Sequence, residues 1–157
     1  MKKLLPLLLS VLIAGSALGQ AKPTGEAQAE PEGFYAKLKA TIQGYLGKPY
    51  VWGSSGLKSF DCSGFIWRVM ADNGILMKRT TARKFYLSLP KVDDSQKWQF
   101  GTLVFFDDLK HVGIVDSPRT FYHSQVSKGT NLSEFNSYWR PKIYGFRVIP
   151  VKEKSAK

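Results

Sequence analysis

Up to about residue 100, the apolar positions of this chain follow a helical period. Between residues 34 and 46 they recur every three or four positions, which predicts an amphipathic helix that ends at Gly47. From Cys62 to about Asn73 the apolar side chains again fall on one side. This spacing predicts a second helix, with Asp61 as its N-cap.

A third predicted helix is short, and a change of period follows it. Thr80 or Thr81 is a suitable cap for a helix that runs to about Leu89. Four strand-like runs come next: TLVFF at 102–106, HVGIVD at 111–116, RTFYHSQV at 119–126 and IYGFRVI at 143–149. Helices followed by strands predict an α+β fold, in which N-terminal helices pack on a small antiparallel β-sheet.

The N-terminal segment, residues 1–19, has the features of a signal peptide. Lys2 and Lys3 precede an apolar run that ends in small residues. The run is shorter than the roughly 20 residues that span a bilayer, which argues against the alternative of a membrane anchor. No cysteine follows the small residues, so a lipoprotein is not expected either. The sequence predicts an exported protein, periplasmic or secreted.

Composition divides the rest of the chain into three segments. Residues 20–33 are rich in Ala, Glu, Gln, Pro and Gly and lack aromatic residues, which predicts a flexible leader. Residues 34–150 are dense in aromatic and β-branched residues and are long enough for one domain with one core. Residues 151–157 are expected to form a frayed basic tail.

The chain carries a strong excess of positive charge. The formal net charge is +11, and it falls to +9 once Lys2 and Lys3 are removed, since residues 1–19 contain no acid. Such an excess favours anionic partners. An exported protein rarely meets nucleic acid, and the lysines are scattered along the chain, so a carboxylate-rich or phosphate-rich cell envelope is the more natural partner. A solvated basic surface without any specific partner is the alternative.

Cys62 is the single cysteine of the chain. It has no internal partner for a disulfide, so it is either an inert core residue or a thiol with a use. In the first turn of the predicted helix, free backbone N–H groups and the helix dipole favour the thiolate. The thiolate is the form that attacks carbonyl groups. This position favours a nucleophile over a core filler.

Both histidines lie in neighbouring predicted strands. A hairpin with an odd-length loop centred on Ser117 places His111 directly opposite His123 on one face of the sheet. One imidazole is then able to accept the thiol proton while the other fixes its tautomer. An even-length loop would place them on opposite faces. Zinc bound by these histidines and Cys62 is the alternative, but no close ligand pair such as CxxC is present, and no metal or cofactor is expected.

Five blocks of the sequence resemble the NlpC/P60 cysteine peptidases in order and spacing: KPYVWG, DCSGF, GTLVFF, HVGIV and FYHSQVSKG. The resemblance spans about Phe34 to Val148. It implies a papain-like α+β fold and the hydrolysis of peptide stems of bacterial cell wall, commonly at the bond after γ-linked D-glutamate. By matched position it implies Cys62 as nucleophile, His111 as base and His123 as the residue that orients the base.

The resemblance also implies a substrate pocket beside the cysteine. Tyr50, Asp61 and Ser63 match positions that hold the amino terminus of L-alanine in family members that cleave free stem peptides. Trp52 is expected to wall the same groove. For Asp61 the alternative is that it only caps the helix.

These observations predict an exported, monomeric cysteine endopeptidase of peptidoglycan stems or cross-links. The expected bond is γ-D-glutamyl–diamino acid or a related D-amino acid bond. Two alternatives remain, a non-catalytic wall-binding module of the same fold and a papain-like amidase or acyltransferase. The presence of Cys62, His111 and His123 together argues against the binding module.

Overall fold

A computed structural model describes residues 29–149 and 151 of the chain. The helices are α1 (Ala29–Gly44), α2 (Cys62–Asp72) and α3 (Ala82–Ser88). The strands are β1 (Leu103–Phe106), β2 (His111–Ser117), β3 (Thr120–Gln125), β4 (Gly129–Glu134) and β5 (Ile143–Arg147). They form one antiparallel sheet in the order β4-β3-β2-β1-β5. The predicted α+β architecture, with helices first and strands after, is confirmed.

The second and third helices begin where the sequence predicts. The carboxylate of Asp61 accepts a hydrogen bond from the Gly64 backbone N–H at 2.6 Å and caps α2. The hydroxyl of Thr81 accepts one from the Lys84 N–H at 3.3 Å and caps α3. Both caps are local, because each joins residues only three positions apart, and local pairs are readable from sequence.

The first helix begins earlier than predicted. It starts at Ala29 instead of Phe34, so the last part of the predicted leader, residues 20–33, is helical. Pro31 falls in its first turn, where the missing N–H costs nothing. The predicted signal peptide and the rest of the leader lie outside the described residues. Within the described residues, no helix is both long and apolar enough to cross a membrane.

One strand was not predicted. β4 has the sequence GTNLSE, which lacks the alternation of apolar and polar residues that marks a half-buried strand. It lies at an edge of the sheet and pairs along its whole length with β3. An edge strand needs only one partner and little apolar surface, which explains why its sequence resembles a loop.

The hairpin of β2 and β3 differs from the predicted register. Gly113, not His111, pairs with His123. The connecting loop is residues 118–119, and this even length alone would place the two histidines on opposite faces. A bulge at Asp116, between the pairs on either side of it, adds one residue to β2 and restores a common face. The predicted face is therefore correct, although the predicted pairing and loop length are wrong.

Two apolar layers cover the two faces of the sheet. The layer beneath the helices includes Leu38, Ile42, Phe60, Phe65, Ile66, Phe105, Val112 and Ile114. The opposite layer consists of Val104, Phe106, Val115, Phe121, Phe135, Trp139 and Phe146. Each fully buried phenylalanine contributes roughly 1.5–3 kcal/mol, so both layers stabilise the fold without a disulfide. By strand alternation His111 and His123 belong to the second layer, across the sheet from the helices.

Candidate active site

Cys62 is the first residue of α2 and is only 8% exposed. Its Sγ lies 3.8 Å from the carbonyl oxygen of Lys110, and the backbone N–H of Val112 also points toward it. The pairing of β2 with β3 ends at Gly113 and His123, so the two strands separate at this end. The thiol therefore lies where the strands part, against the backbone on both sides of His111.

The surroundings of the thiol keep it protonated. Burial, and then the negative charge of Asp61, raise the pKa of Cys62 to about 11. The backbone N–H groups of Val112, Ser63 and Cys62 itself lower this pKa, but they do not outweigh the burial. The N–H groups at the helix terminus favour the thiolate in the predicted direction, but desolvation has the larger effect on the pKa of Cys62.

The two histidines are hydrogen-bonded to each other. His111 Nε2 lies 2.7 Å from His123 Nδ1. Burial lowers the pKa of His111 to about 4. Burial, and then the proximity of His111, lower the pKa of His123 to about 3. Both imidazoles are therefore neutral near pH 7. In the described part of the chain, no three His, Cys, Asp or Glu side chains are arranged to hold a metal ion.

A missing side chain makes this pair possible. Gly113 stands opposite His123 in the sheet, and a Cβ on it would lie 3.4 Å from the His123 Cβ and 2.8 Å from Phe121 Cδ2. Such contacts are too close for a normal side chain. The glycine thus leaves space over β2, and the ring of His123 reaches diagonally to His111, two residues away along the strand.

Trp139 holds both imidazole rings from outside the sheet. Its ring stacks on His111 with centroids 5.3 Å apart and an interplanar angle of 24°. It meets His123 edge-on, with centroids 5.0 Å apart. Sequence reasoning missed this residue, since it lies in an irregular segment after β4 with no motif around it. Contacts on two sides restrict the rotation of the rings.

β4 carries the side chains that contact the second ring nitrogen of His123. His123 Nε2 lies 2.8 Å from Ser133 Oγ, and this hydroxyl donates to Asn131 Oδ1 at 2.9 Å. The Asn131 amide nitrogen in turn donates to the Gly129 carbonyl at 2.8 Å. Ser133 and Asn131 were also missed, because the strand that carries them was not predicted.

The carboxylate of Asp61 is fully engaged within the protein. Oδ1 accepts from Gly64 N at 2.6 Å and from Ser63 Oγ at 2.9 Å. Oδ2 accepts from Gly53 N at 2.9 Å and forms an ion pair of 2.6 Å with the Arg79 guanidinium. The second guanidinium nitrogen of Arg79 donates to Ser63 Oγ at 3.0 Å. Arg79 is thus a further site residue that sequence reasoning did not identify.

The remaining residues of the predicted pocket divide into two groups. Tyr50 lies near the thiol: burial, and then the charges of Cys62 and Asp61, raise the pKa of its phenol. Ser63 is buried beside it. Trp52, in contrast, is 86% exposed on the loop before α2. A thiol against the backbone on both sides of His111, and a second imidazole hydrogen-bonded to the His111 ring, are the residue types of a nucleophilic catalyst.

Comparison with known proteins identifies relatives of this arrangement. A model of the NlpC/P60 family matches residues 47–148. The chain is 33% identical over 115 residues to "Probable peptidoglycan endopeptidase LytE" of Bacillus subtilis, which covers 70% of this chain and 33% of LytE. It is 30% identical over 156 residues to "Probable endopeptidase NlpC" of Escherichia coli K12, which covers 95% of this chain and 100% of that protein. The chain thus spans about a third of the first relative and all of the second.

A solved structure has the same fold. An NLP/P60 family protein of Staphylococcus aureus superposes with a TM-score of 0.68 at 26% sequence identity. The match covers 83% of this chain and 46% of the other. The fold that the five sequence blocks imply is therefore confirmed.

Proposed function

The chain belongs to the NlpC/P60 family, and on that premise we propose that it is an exported cysteine endopeptidase of bacterial peptidoglycan. It hydrolyses peptide stems or cross-links at a γ-D-glutamyl–diamino acid bond or a related D-amino acid bond. Cys62 is the nucleophile, His111 is the base and His123 orients it. The observation that carries the proposal is the 2.7 Å contact between the two imidazoles, with the Cys62 thiol against the backbone on both sides of His111.

The thiol and the imidazole are both uncharged in the free protein, and this determines when the proton moves during the reaction. With the pKa of Cys62 raised to about 11 and that of His111 lowered to about 4, no ion pair forms in the free protein near pH 7. The thiol proton moves to His111 Nδ1 as Sγ attacks the carbonyl carbon of the substrate. The imidazolium then protonates the leaving amine, and water hydrolyses the thioester. The backbone N–H groups at the start of α2 stabilise the oxyanion.

The binding residues support a substrate with a free amino group. Tyr50 has a half-buried phenol that lies within the electrostatic influence of Cys62 and Asp61, and Trp52 offers an exposed ring on the loop before α2. Asp61 and Ser63 supply negative charge and a hydroxyl, although Arg79 already occupies part of the carboxylate. An ammonium group therefore binds mainly through Tyr50 and Trp52, with Asp61 contributing at longer range.

The proposal extends to the segments outside the catalytic domain. Residues 1–19 direct export and are removed, and residues 151–157 form a basic tail. The mature protein acts as a monomer on peptide stems, without nucleic acid and without a stable membrane anchor.

The test is cleavage of purified sacculi by the protein that begins at Gln20. The expected result is the release of new amino groups, with fragments whose masses identify the cleaved bond. Cys62→Ala should abolish release and retain the unfolding midpoint. Full activity in this variant would overturn the assignment of the nucleophile. Binding to sacculi without any cleavage by the unsubstituted protein would favour the wall-binding module, and fragments cut between sugar and peptide would favour an amidase.

A further inference from the structure

A chain of polar side chains runs from the histidine pair to the outer strand β4, and the proposed reaction does not yet use it. We propose that Ser133 and Asn131 are positioning residues that set the tautomers of both histidines and keep His111 Nδ1 free to accept the Cys62 proton. The proposal rests on the proposed function for its consequence in turnover. The tautomers themselves follow from hydrogen bonds.

The first step is the orientation of the Asn131 amide. The Gly129 carbonyl lies 2.8 Å from one end of this amide, and a carbonyl oxygen only accepts. The nitrogen of the amide must therefore face Gly129, which turns Oδ1 toward Ser133. The Gln125 amide donates to the same Oδ1 at 3.2 Å, in agreement with this orientation.

The second step is the single proton of Ser133. Asn131 Oδ1 is an acceptor, so the Ser133 hydroxyl donates its proton to it across 2.9 Å. No second proton remains on Ser133 Oγ for the contact of 2.8 Å with His123 Nε2. In that contact the hydroxyl oxygen accepts, and His123 carries its proton on Nε2.

The third step passes this constraint to the base. A neutral imidazole has one N–H, so the proton on Nε2 leaves a lone pair on His123 Nδ1. That lone pair accepts a hydrogen bond from His111 Nε2–H across 2.7 Å. His111 is then unprotonated at Nδ1. With the opposite tautomers, His111 Nδ1 would carry a proton and would be unable to act as base.

The charged groups around the histidines are consistent with two neutral imidazole rings. Asp107 and Lys142 face His111 with opposite charges, and Lys128 faces His123. Burial remains the main influence and lowers the pKa of both histidines. Because both rings stay neutral, the hydrogen bonds of Ser133 and Asn131 determine the tautomers of the histidines and not their charges. When His111 accepts the thiol proton, its Nε2–H bond to His123 is retained, and no proton needs to move toward β4.

The direct test is the nitrogen NMR spectrum of the imidazoles at pH 7, recorded on the Cys62→Ala protein. We expect both histidines to be protonated at Nε2 and bare at Nδ1. Ser133→Ala should give a mixture of tautomers, and Ser133→Thr, which keeps the hydroxyl, should restore the single form. Ser127→Ala is the matched control, since Ser127 is exposed on the adjacent turn. Unchanged tautomers in Ser133→Ala would overturn the proposal.

Turnover gives an independent readout in the protein that retains Cys62. Ser133→Ala removes one hydrogen bond of ordinary strength from His123. It should therefore lower kcat about tenfold, with KM unchanged. Asn131→Asp keeps an oxygen acceptor for Ser133 and should keep the tautomers, even if Ser133→Ala fails to fold. A tautomer mixture in Asn131→Asp would count against the proposal. The NMR result does not depend on cleavage, so failure of the proposed function would be recognised separately.

Discussion

The two halves of the reactive site are held in place by different chemistry. The nucleophile half consists of Asp61, Cys62, Ser63 and Arg79. The histidine half consists of His111, His123, Asn131 and Ser133. In the first, a carboxylate and a guanidinium form an ion pair of 2.6 Å behind the thiol. In the second, neutral groups form a continuous series of hydrogen bonds, from 2.7 to 2.9 Å.

The difference shows how position and reactivity are separated in this site. Charge-assisted bonds fix the start of α2 strongly, but the carboxylate of Asp61 also raises the pKa of Cys62. Neutral bonds fix the imidazoles without adding charge, and burial keeps their pKa values low. Both halves therefore leave the proton on sulfur until a substrate arrives. The resting protein thus avoids a reactive thiolate.

The largest expected effect comes from removing the base. His111→Ala should lower kcat on stem peptides by about a thousandfold or more, because general-base catalysis by a positioned imidazole contributes roughly 10²–10⁴. His123→Ala should lose less, since it removes the partner of the base and not the base itself. Steady-state kinetics on a purified fragment separate the two. An equal loss in both variants would mean that the two histidines act as one unit, and it would contradict the separate roles of base and orienting residue.

Stability as a function of pH separates the two halves further. Each histidine has its folded pKa below the unfolded value of 6.5, so its contribution is complete above pH 6.5. That contribution is lost as pH falls toward 4, because the unfolded chain binds the proton more readily. Cys62 has its pKa raised from 9.0 to about 11, so its contribution is complete below pH 9 and is lost as pH rises to 11. Between these two halves, acid sensitivity belongs to the histidine half and alkaline sensitivity to the nucleophile half, and Tyr45, whose pKa is raised to about 12 by burial, adds alkaline sensitivity above pH 10.

Urea unfolding at a series of pH values measures both limbs. The acid limb should amount to roughly 3 kcal/mol for each histidine between pH 7 and 4, and His123→Gln should reduce it while it leaves the alkaline limb in place. Cys62→Ala should remove the part of the alkaline limb between pH 9 and 10 and leave the acid limb, since Tyr45, whose pKa is raised from 10.0 to about 12 by burial, contributes only above pH 10. An acid limb unchanged in His123→Gln would show that other groups are responsible for it.

The nucleophile half was predictable from sequence because its contacts are short in sequence. Asp61 caps the helix through Gly64, three residues away, and DCSGF contains both residues. Arg79, 18 residues from Asp61, has no such local signal. The α+β order and four of the five strands were likewise visible as changes of period.

The histidine half was predictable only in part, because it depends on contacts across the sheet. The common face of His111 and His123 relies on a bulge at Asp116, which periodicity does not reveal. At this bulge the Asp116 carboxylate accepts hydrogen bonds from Lys39 Nζ of α1 at 2.8 Å and from Thr120 Oγ1 at 2.9 Å. β4, the strand that carries Ser133 and Asn131, has a polar sequence typical of a loop. Long-range pairing decided both features.

The smallest expected effect comes from breaking the ion pair of the nucleophile half. Arg79→Met leaves the Asp61 carboxylate without its cation, which should cost about 2 kcal/mol of unfolding free energy, as for a hydrogen bond to a charged group. The pair is partly exposed, with side-chain exposures of 27% and 10%, so solvent screening keeps the cost below that of a fully buried pair. The same change should raise the pKa of Cys62 further and slow its alkylation at pH 8.

The matched control is Arg83→Met, on an exposed arginine of α3 that makes no ion pair within the described residues. It removes the same charge and should change neither stability nor alkylation. If Arg79→Met alkylated as fast as Arg83→Met while it lost stability, Arg79 would act on the loop and not on the thiol. Slower alkylation with unchanged tautomers of His111 and His123 would show that the two halves act on the thiol independently. Because Arg79 contacts Asp61 and Ser63 on either side of Cys62 in the sequence, whereas Ser133 contacts His123, we expect that independence.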